Sequence, residues 1–386
     1  MITFKSLGIS NSLLRVLETQ NYINPYPIQK KAIPAILNKK DILGIAKTGS
    51  GKTASYLLPI LMNLSKKIEE KSFIKKNRVI NVLILVPTRE LAVQVNDLLQ
   101  IFIKGISSKI KSLAVFGGVS INVQMQSIGN TNILVATPGR LIKLVESNAV
   151  HLSSVELLVL DEADKILSEG FAEEIDKILN MLPKKRQNLL FSATLNERVS
   201  NINKIVLKDP IIIKIESKKD DIELIDQLVY FVEEEKKGPL LRYLIISKNM
   251  SKVLIFTSSI TRANRVTEKL RKNGIKAEAI HSKKSQGARV DLLTKFKNGK
   301  ISVLVTTDLL ARGIDIELLP FIINYELPRS PKMFIHRIGR TGRAESFGEA
   351  ITLVTPKEEH HFKVIEKKMK RYVKRVDISD LNLHGY

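Results

Sequence analysis

The chain has 386 residues, of which 44% are hydrophobic and 26% charged, so wholesale disorder is excluded. Its 62 Lys and Arg exceed its 39 Asp and Glu, and the net charge of +23 favours a polyanionic partner such as nucleic acid. Because no Cys is present, disulfide frameworks, thiolate catalysis, zinc ribbons and iron–sulfur clusters are excluded. The excess of Lys, 44 against 18 Arg, leaves open that part of the charge reflects coding composition.

Membrane and export signals are not visible in the sequence. No apolar run approaches the ~20 residues that cross a bilayer. The N-terminal stretch MITFKSLGISNSLLRVLETQ lacks both the continuous apolar core of a signal peptide and a small-residue cleavage site. We therefore expect a cytoplasmic protein with no membrane partner.

Short apolar runs rich in β-branched residues alternate with helical patterns along the whole chain. In the first half, the predicted buried strands are 42–46, 82–86, 133–136, 157–160 and 189–191. In the second half they are 253–257, 278–281, 303–306, 321–324 and 350–354. Strands that are apolar on both faces, with helices such as 90–102 and 262–272 between them, predict an α/β fold with mostly parallel sheets flanked by helices.

A polar, charged stretch near the middle of the chain, ESKKDD at 216–221, predicts the seam between two domains of similar size. The predicted boundaries are an N-terminal domain at 1–215, a linker at 216–224 and a C-terminal domain at 225–386. In such sheets, ligands bind outside the carboxyl ends of the strands.

The first strand runs directly into AKTGSGKT at 46–53, and an apolar helix follows. This order of strand, glycine-rich loop and helix predicts a nucleotide phosphate site, with Ala46 in place of the first Gly of the usual loop. Gly49 and Gly51 let backbone N–H groups surround phosphate oxygens, while Lys52 supplies charge and Thr53 a hydroxyl for Mg²⁺. The remaining predicted loop contacts are Thr48 and Ser50.

The predicted strand 157–160 ends in Asp161, Glu162, Ala163 and Asp164. A carboxylate at a strand end can hold Mg²⁺, directly or through water, and the next can orient and deprotonate an attacking water. We therefore predict that Asp161 is a metal residue and that Glu162 is the catalytic base. An acidic turn that only caps the next helix is the less favoured alternative.

At DEAD (161–164) the sequence resembles the DEAD-box family of ATP-dependent RNA helicases. Further family motifs follow in order over nearly the whole chain: NYINPYPIQ (21–29), PTREL (87–91), GG (117–118), TPGR (137–140), SAT (192–194), VLIFTSS (253–259), QGAR (286–289), TTDLLARGID (306–315) and HRIGRTGR (336–343). The resemblance implies two tandem RecA-like domains. VFGGVSINVQM and NILVATPGRL resemble bacterial RhlE-type members most.

The resemblance also implies roles in nucleotide recognition. Gln29 would satisfy both the N6 donor and the N7 acceptor of adenine, Tyr22 would stack on the ring, and Asp315 would bond the ribose hydroxyls. Tyr26 departs from the Thr or Ser that usually precedes Pro-Ile-Gln, which puts the usual hydroxyl contact in doubt.

Catalysis and coupling involve both halves of the chain in this family. The resemblance implies that Arg340 and Arg343 act as arginine fingers on the γ-phosphate, together with Lys52 and Glu162. A network linking hydrolysis to conformational change would consist of Asp164, Ser192, Thr194 and His336. By themselves, hydroxyl pairs in loops such as Ser192 and Thr194 are more often only local caps.

The RNA residues implied by the resemblance contact phosphate and ribose and not the bases. In the first domain they are Pro87, Thr88, Arg89, Gly118, Thr137, Gly139 and Arg140. In the second domain they are Thr257, Arg289, Thr306 and Arg312. Seven of the 18 Arg lie within the named motifs, at 89, 140, 289, 312, 337, 340 and 343, which predicts that their forked donors meet phosphates.

After Thr355, a basic C-terminal extension carries eight Lys or Arg and three Glu between 357 and 375. Phe362, Ile365 and Met369 recur at helical spacing, so this segment is predicted to pack on the second domain. Its basic face either extends the RNA contact or is simply solvated.

The sequence therefore predicts an RNA-stimulated ATPase that uses ATP and Mg²⁺. Its task would be non-processive local unwinding of short RNA duplexes or ribonucleoprotein remodelling. Ribosome assembly and RNA decay are both compatible roles, with ribosomal or decay proteins as partners of a monomer. A DNA-translocating motor and a non-catalytic RNA clamp are the alternatives. Gln29, PTREL and SAT favour RNA over DNA, and Lys52, Glu162 and the two arginines favour turnover.

Overall fold

The computed structural model describes residues 2–47, 49–70, 80–106, 109–168, 171–195, 197–215, 225–308, 319–341, 348–379 and 381–386. The chain divides into two compact units, Met1–Ser217 and Lys218–Tyr386. The predicted linker 216–224 lies outside the described residues, so its exact boundaries stay a prediction.

The first unit is a parallel sheet with helices on both faces. Its helices are α1 (Asn11–Thr19), α2 (Pro27–Leu37), α3 (Lys52–Glu69), α4 (Arg89–Lys104), α5 (Ile121–Ile128), α6 (Pro138–Glu146), α7 (Ala163–Ser168), α8 (Ala172–Met181) and α9 (Glu197–Val206). Its strands are β1 (Ile42–Ile45), β2 (Val82–Leu85), β3 (Ser112–Val115), β4 (Ile133–Ala136), β5 (Leu157–Leu160), β6 (Gln187–Ser192) and β7 (Ile211–Lys214). Within the described ranges the strand order is β3-β4-β2-β5-β6-β1-β7.

Alternating side chains of each inner strand enter two separate hydrophobic cores. In β2, Val82 and Ile84 pack into the core on one face of the sheet, whereas Leu83 and Leu85 pack into the core on the other. Burial on both faces is the reason these strands appear in the sequence as continuous apolar runs.

The second unit repeats this architecture. Its helices are α10 (Lys237–Ser247), α11 (Ile260–Lys272), α12 (Gln286–Lys297), α13 (Pro331–Ile338) and α14 (Glu359–Met369). Its strands are β8 (Ile225–Phe231), β9 (Val253–Thr257), β10 (Ala277–Ile280), β11 (Val303–Thr307), β12 (Phe321–Asn324), β13 (Gly348–Val354) and β14 (Lys374–Val376). Across the described part of this unit, the order is β10-β11-β9-β12-β13-β8-β14 and neighbouring strands are parallel.

These two sheets confirm the predicted fold class, and all ten predicted strands are present with ends that differ by up to two residues. Four strands were missed: β3, β7, β8 and β14. Three of them lie at sheet edges, where one side of the strand has no neighbour. Partial exposure allows polar side chains there, so the apolar run is short or interrupted; β7, for example, buries only Ile213.

The C-terminal extension packs on the second unit, as predicted. Phe362 and Ile365 of α14 are fully buried in a core that also contains Phe334 of α13, and Met369 packs against it. Its charges are partly paired within the segment, since Arg375 contacts Glu366. In the portion of the chain that the structure describes, no helix has both the length and the apolar character needed to cross a membrane.

Candidate active site

Six sequence motifs follow six neighbouring strands of the first sheet. In sheet order they are the GG pair after β3, TPGR after β4, PTREL after β2, DEAD after β5, SAT at the end of β6 and the glycine-rich loop after β1. Because the strands are parallel, all six motifs lie at the carboxyl edge of the sheet, where α/β proteins bind ligands.

The glycine-rich loop has the backbone conformation that a phosphate site needs. Gly49 and Gly51 have φ angles of 71° and 85°, values that L side chains rarely adopt. The amide of Ala46 bonds the Ser192 carbonyl at 3.0 Å, which attaches the start of the loop to β6. Ser50 Oγ is buried without a hydrogen-bond partner among the described residues, and α3 begins at Lys52. The loop therefore presents its amides at the N-terminus of a long helix.

Lys52 is folded back onto the loop that it follows. Its Nζ donates to the carbonyls of Ala46 at 2.6 Å and Lys47 at 2.7 Å, and the side chain is buried. Burial lowers the pKa of the Lys52 ammonium, and the carboxylates of Asp161, Glu162 and Asp164 oppose this shift. An anionic phosphate in the loop would give this buried cation a stronger partner than two carbonyls.

Gln29 lies at the first turn of α2 and contacts the glycine-rich loop. Its Oε1 accepts the Tyr26 amide at 2.8 Å, and its Nε2 donates to the Gly51 carbonyl at 3.1 Å. The side chain is fully buried, so in this conformation the amide presents neither group to a base. The Tyr26 ring is half exposed and lies against Gly51. Tyr22 packs edge-on to Phe102, with ring centroids 6.1 Å apart.

The acidic strand end is buried next to the glycine-rich loop. Asp161 is only 2% exposed; its Oδ1 accepts the Glu162 amide at 2.9 Å, and its Oδ2 accepts the Tyr56 hydroxyl at 2.7 Å. Burial and then the charge of Glu162 raise the pKa of Asp161, whereas Lys52 and the Tyr56 hydrogen bond lower it. Burial also raises the pKa of Tyr56 well above its usual range, so the phenol keeps its proton and donates.

Glu162 has a strained backbone and a paired carboxylate. Its φ of 53° is unusual for a residue with a side chain and is common at functional sites. Lys165, one turn further along α7, contacts the Glu162 carboxylate at 2.7 Å. The ion pair uses Oε2, and a carboxylate has further lone pairs with which it can accept a proton from water.

Three of the four predicted coupling residues meet in the first unit. The Thr194 hydroxyl donates to Asp164 Oδ2 at 2.9 Å, and the Ala193 amide lies 3.4 Å from Asp164 Oδ1. The Ser192 hydroxyl donates to the Thr194 carbonyl at 2.6 Å. The DEAD and SAT segments are thus linked side by side at the ends of β5 and β6. His336, the fourth residue, lies on α13 of the second unit.

Two of the predicted RNA arginines form one cluster on the first unit. A Cβ on Gly118 would lie 1.9 Å from Nη1 of Arg89, so the guanidinium covers the Gly118 backbone. Arg140 donates to Gln124 Oε1 and to the Val119 carbonyl, each at 2.8 Å. Burial lowers the pKa of Arg140, and the charge of Arg89 adds to the shift. Two like charges held close together form a site for a polyanion.

The other predicted RNA residues of the first unit are at helix starts. Thr88 caps α4 by accepting the Leu91 amide at 3.3 Å, and Thr137 precedes α6. Gly139 has open space around its Cα, whereas Pro87 is buried. No residue of this group is shown to contact RNA, so these positions stay predictions.

In the second unit, the predicted RNA hydroxyls lie inside the domain. Thr257 ends β9, Thr306 is the next-to-last residue of the neighbouring strand β11, and both are fully buried. The Thr257 hydroxyl donates to the Thr306 carbonyl at 3.2 Å. Arg289 and Arg340 are also mostly buried, at 5% and 9% exposed. The predicted residues Thr48, Arg312, Asp315 and Arg343 lie outside the described part of the chain.

The interpretation that every motif arginine meets a phosphate is wrong for Arg337. The whole residue is 2% exposed, and its side chain forms a forked ion pair with Asp308, at 2.5 and 2.8 Å. It also donates to Asn324 Oδ1 and the Glu326 carbonyl, and it stacks on Phe256. A planar fork suits a carboxylate as well as a phosphate, which explains why sequence alone did not separate the two.

Sequence reasoning also missed Tyr56 and Lys165, which contact the two acidic residues of the site. The position of Lys165 three residues after Glu162 is the spacing at which helical side chains meet, and this signal was present in the sequence. Tyr56 is 105 residues from Asp161, and no local pattern could indicate that contact.

Known proteins resemble the chain along almost its whole length. Residues 26–202 match the DEAD/DEAH box helicase family, and residues 235–345 match the helicase conserved C-terminal domain. The DEAD-box ATP-dependent RNA helicase CshA of Bacillus cereus is 37% identical over 383 residues, which cover 99% of this chain and 71% of that protein. The ATP-dependent RNA helicase CshA of Listeria monocytogenes is 38% identical over 372 residues, covering 96% and 69%. The chain belongs to the DEAD-box family.

Solved DEAD-box structures share this fold. S. cerevisiae Dbp5 bound to RNA and ADP BeF3 matches with a TM-score of 0.82 and 28% identity, covering 98% of this chain and 96% of that one. The DEAD-box helicase Mss116 bound to ssRNA and UDP-BeF matches with a TM-score of 0.84 and 26% identity, covering 98% and 81%. The predicted class is thereby confirmed: the chain is an ATP-dependent, RNA-binding DEAD-box helicase of RecA-like fold that hydrolyses ATP.

The finer resemblance to RhlE-type helicases is not confirmed. The bacterial DEAD-box relatives reported above carry the name CshA. The segments that suggested RhlE, around GG and TPGR, form the Arg89–Gly118–Arg140 cluster.

Proposed function

We propose that ATP places its phosphates in the loop 46–53 and that Glu162 activates the attacking water. The observation that carries this proposal is the approach of Lys52 and the DEAD carboxylates at one edge of the sheet: the charges of Asp161, Glu162 and Asp164 all act on the buried ammonium. Positive charge for the phosphates and a base for the water are the two requirements of phosphoryl transfer to water.

Magnesium fits the donors at this position. Among the described residues, no group of three or more His, Cys, Asp or Glu side chains could hold a metal ion alone. Mg²⁺ is typically bound by one or two carboxylates together with substrate phosphates and water. Asp161 and Thr53 are therefore sufficient protein donors, and bound Mg²⁺ would neutralise the charge of the phosphates.

Base recognition requires a local exchange of hydrogen bonds. Gln29 now bonds the Tyr26 amide and the Gly51 carbonyl. Each end of an amide side chain has a second hydrogen-bond position, and adenine can use both when the surrounding groups move. Tyr22 and Asp315 remain the proposed contacts to the base and the ribose.

Single-stranded RNA is proposed to follow the Arg89–Gly118–Arg140 cluster in the first domain. Thr88, Thr137 and Gly139 are proposed to add contacts to the RNA sugar-phosphate backbone there. In the second domain, the proposed contacts are Arg289, Arg312 and, after a local rearrangement that exposes their buried hydroxyls, Thr257 and Thr306. Arg340 and Arg343 contribute charge at the γ-phosphate, and His336 joins the Asp164–Thr194 network. Because both ligands use residues of both domains, binding of one favours binding of the other.

This coupling suits local, non-processive work on RNA. We propose unwinding of short duplexes or ribonucleoprotein remodelling by a cytoplasmic monomer, in ribosome assembly or RNA decay. The 37% identity to the DEAD-box ATP-dependent RNA helicase CshA of Bacillus cereus supports ATP-dependent work on RNA. Ribosomal or decay proteins are the partners that we propose for it.

The variant Glu162→Gln tests the catalytic assignment. Because general-base catalysis typically contributes a factor of about 10²–10⁴, we expect kcat for ATP to fall by that amount. The amide keeps the size of the side chain, so ATP and RNA should still bind. Turnover and equilibrium binding are measured on the same preparation.

Glu173→Gln is the matched control, since Glu173 is exposed on α8 and outside the site. It should hydrolyse ATP at the wild-type rate. Normal turnover in Glu162→Gln would remove Glu162 from the mechanism.

A further inference from the structure

Tyr56 is an aromatic side chain with a polar group at the centre of the ATP site. It lies one turn after Lys52 on α3, and it is fully buried. Its ring packs on Phe191 of β6, with centroids 5.3 Å apart at a tilt of 42°. Burying a ring here requires only an apolar surface. Burying its hydroxyl costs free energy unless that group has a hydrogen-bond partner.

The partner of this hydroxyl is Asp161. The phenol donates to Oδ2 at 2.7 Å, in a contact that is buried on both sides. The Glu162 amide donates to the other oxygen, Oδ1. The carboxylate is therefore held at both oxygens, and each oxygen keeps a further lone pair for another ligand.

Burial and then the charge of Asp161 raise the pKa of Tyr56, whereas the Thr53 side chain lowers it. Thr53 and Asp161 are the two protein donors that fit Mg²⁺ at this site. The Tyr56 hydroxyl contacts Asp161 directly, and Thr53 lies one turn before Tyr56 on the same helix.

We propose that Tyr56 is a positioning residue for magnesium: its hydroxyl fixes the orientation of the Asp161 carboxylate. This inference rests on the proposed Mg²⁺ site. The hydroxyl does not touch the reacting atoms. It acts through Asp161, in the way that partners of metal ligands generally orient the ligands they contact.

The substitution Tyr56→Phe removes the hydroxyl and keeps the ring against Phe191. The affinity of the full-length chain for a fluorescent ADP analogue is measured with Mg²⁺ and with EDTA. Removing such a partner costs roughly 10–100-fold in metal affinity, so we expect the Mg²⁺-dependent gain in ADP affinity to fall about tenfold. Affinity in EDTA should equal that of wild type.

Tyr230→Phe is the matched control, because Tyr230 is also buried but lies on β8 of the other unit. This variant should show the same Mg²⁺-dependent gain in ADP affinity as wild type. In an Asp161→Asn background, Tyr56→Phe should have no further effect, since the hydroxyl acts only through that carboxylate.

Three results would overturn the inference. Tyr56→Phe could keep the full Mg²⁺-dependent gain, or it could lose affinity equally with Mg²⁺ and with EDTA, which indicates a packing role. The third is that Tyr56→Phe reduces the Mg²⁺-dependent gain as much in the Asp161→Asn background as in the wild-type background. If wild type itself shows no gain with Mg²⁺, the proposed magnesium site fails, and the role of Tyr56 fails with it.

Discussion

Gly118 is a single backbone position on which the proposed RNA site depends. Its φ is 81°, and the Arg89 guanidinium occupies the space in which any Cβ would stand. A larger residue would therefore strain the backbone and displace Arg89 together. The positive φ and the contact with Arg89 together explain why glycine is needed at a position with no catalytic group.

We expect Gly118→Ala to weaken binding of single-stranded RNA about tenfold, or ~1.4 kcal/mol, because the arginine moves away from the phosphates. Binding is measured by fluorescence anisotropy with a labelled RNA. Gly238→Ala serves as a control, since a Cβ there meets only the end of Arg242 at 3.5 Å. Equal RNA affinity in the two variants would exclude Arg89 from the RNA site.

The sequence predicted the role of a residue well where that role follows from the backbone conformation or the charge that a phosphate loop requires. Gly49, Gly51 and Lys52 follow from the requirements of a phosphate loop, and their conformations agree with that role. The hydrogen bond from Gln29 to the Gly51 carbonyl could not be predicted, because it depends on how α2 lies against the loop.

Among the elements, α13 is attached to its sheet by the hydrogen bonds of a buried arginine as well as by the apolar packing of Phe334 and Ile338. Arg337 joins this helix to Asp308 after β11 and to Asn324 at the end of β12. The Arg337 side chain is 1% exposed and that of Asp308 28%. The two predicted arginine fingers, Arg340 and Arg343, follow α13 in the chain. The attachment of α13 to its sheet therefore fixes the point at which their segment starts.

Arg337→Ala should destabilise the second domain by about 3 kcal/mol, because removing one partner leaves a partly buried carboxylate unpaired. The free energy of unfolding is measured by urea denaturation. Arg329→Ala, at an exposed neighbouring position, should change it by less than about 0.5 kcal/mol. A similarly small change for Arg337→Ala would show that the ion pair contributes little.

Inner and edge strands differed in how well the sequence predicted them. β5 is buried along its whole length, and its run LLVL was predicted with the correct ends. β14 has only three residues, two of them exposed, and pairs at the edge with β8. Tertiary pairing and not local pattern creates such a strand, and a single sequence does not contain that information.

For the whole molecule, the net charge of +23 is a sum over basic side chains that lie in several different environments. Arg89 and Arg140 form a cationic cluster, and Lys52 donates to carbonyls of the glycine-rich loop. Arg337 forms an ion pair with Asp308 of its own domain. Net charge indicated nucleic acid only weakly. The motif positions identified the class, and the structure shows that Arg337 pairs with a carboxylate of its own domain.

The central claim is that this chain is an ATPase that RNA switches on. The most direct test is the steady-state ATP hydrolysis of the full-length chain with Mg²⁺, alone, with single-stranded RNA and with single-stranded DNA of the same sequence. The account predicts slow hydrolysis alone, strong stimulation by RNA and little stimulation by DNA, because the proposed contacts include the 2′-hydroxyls. Equal stimulation by DNA, or no turnover with RNA, would contradict it.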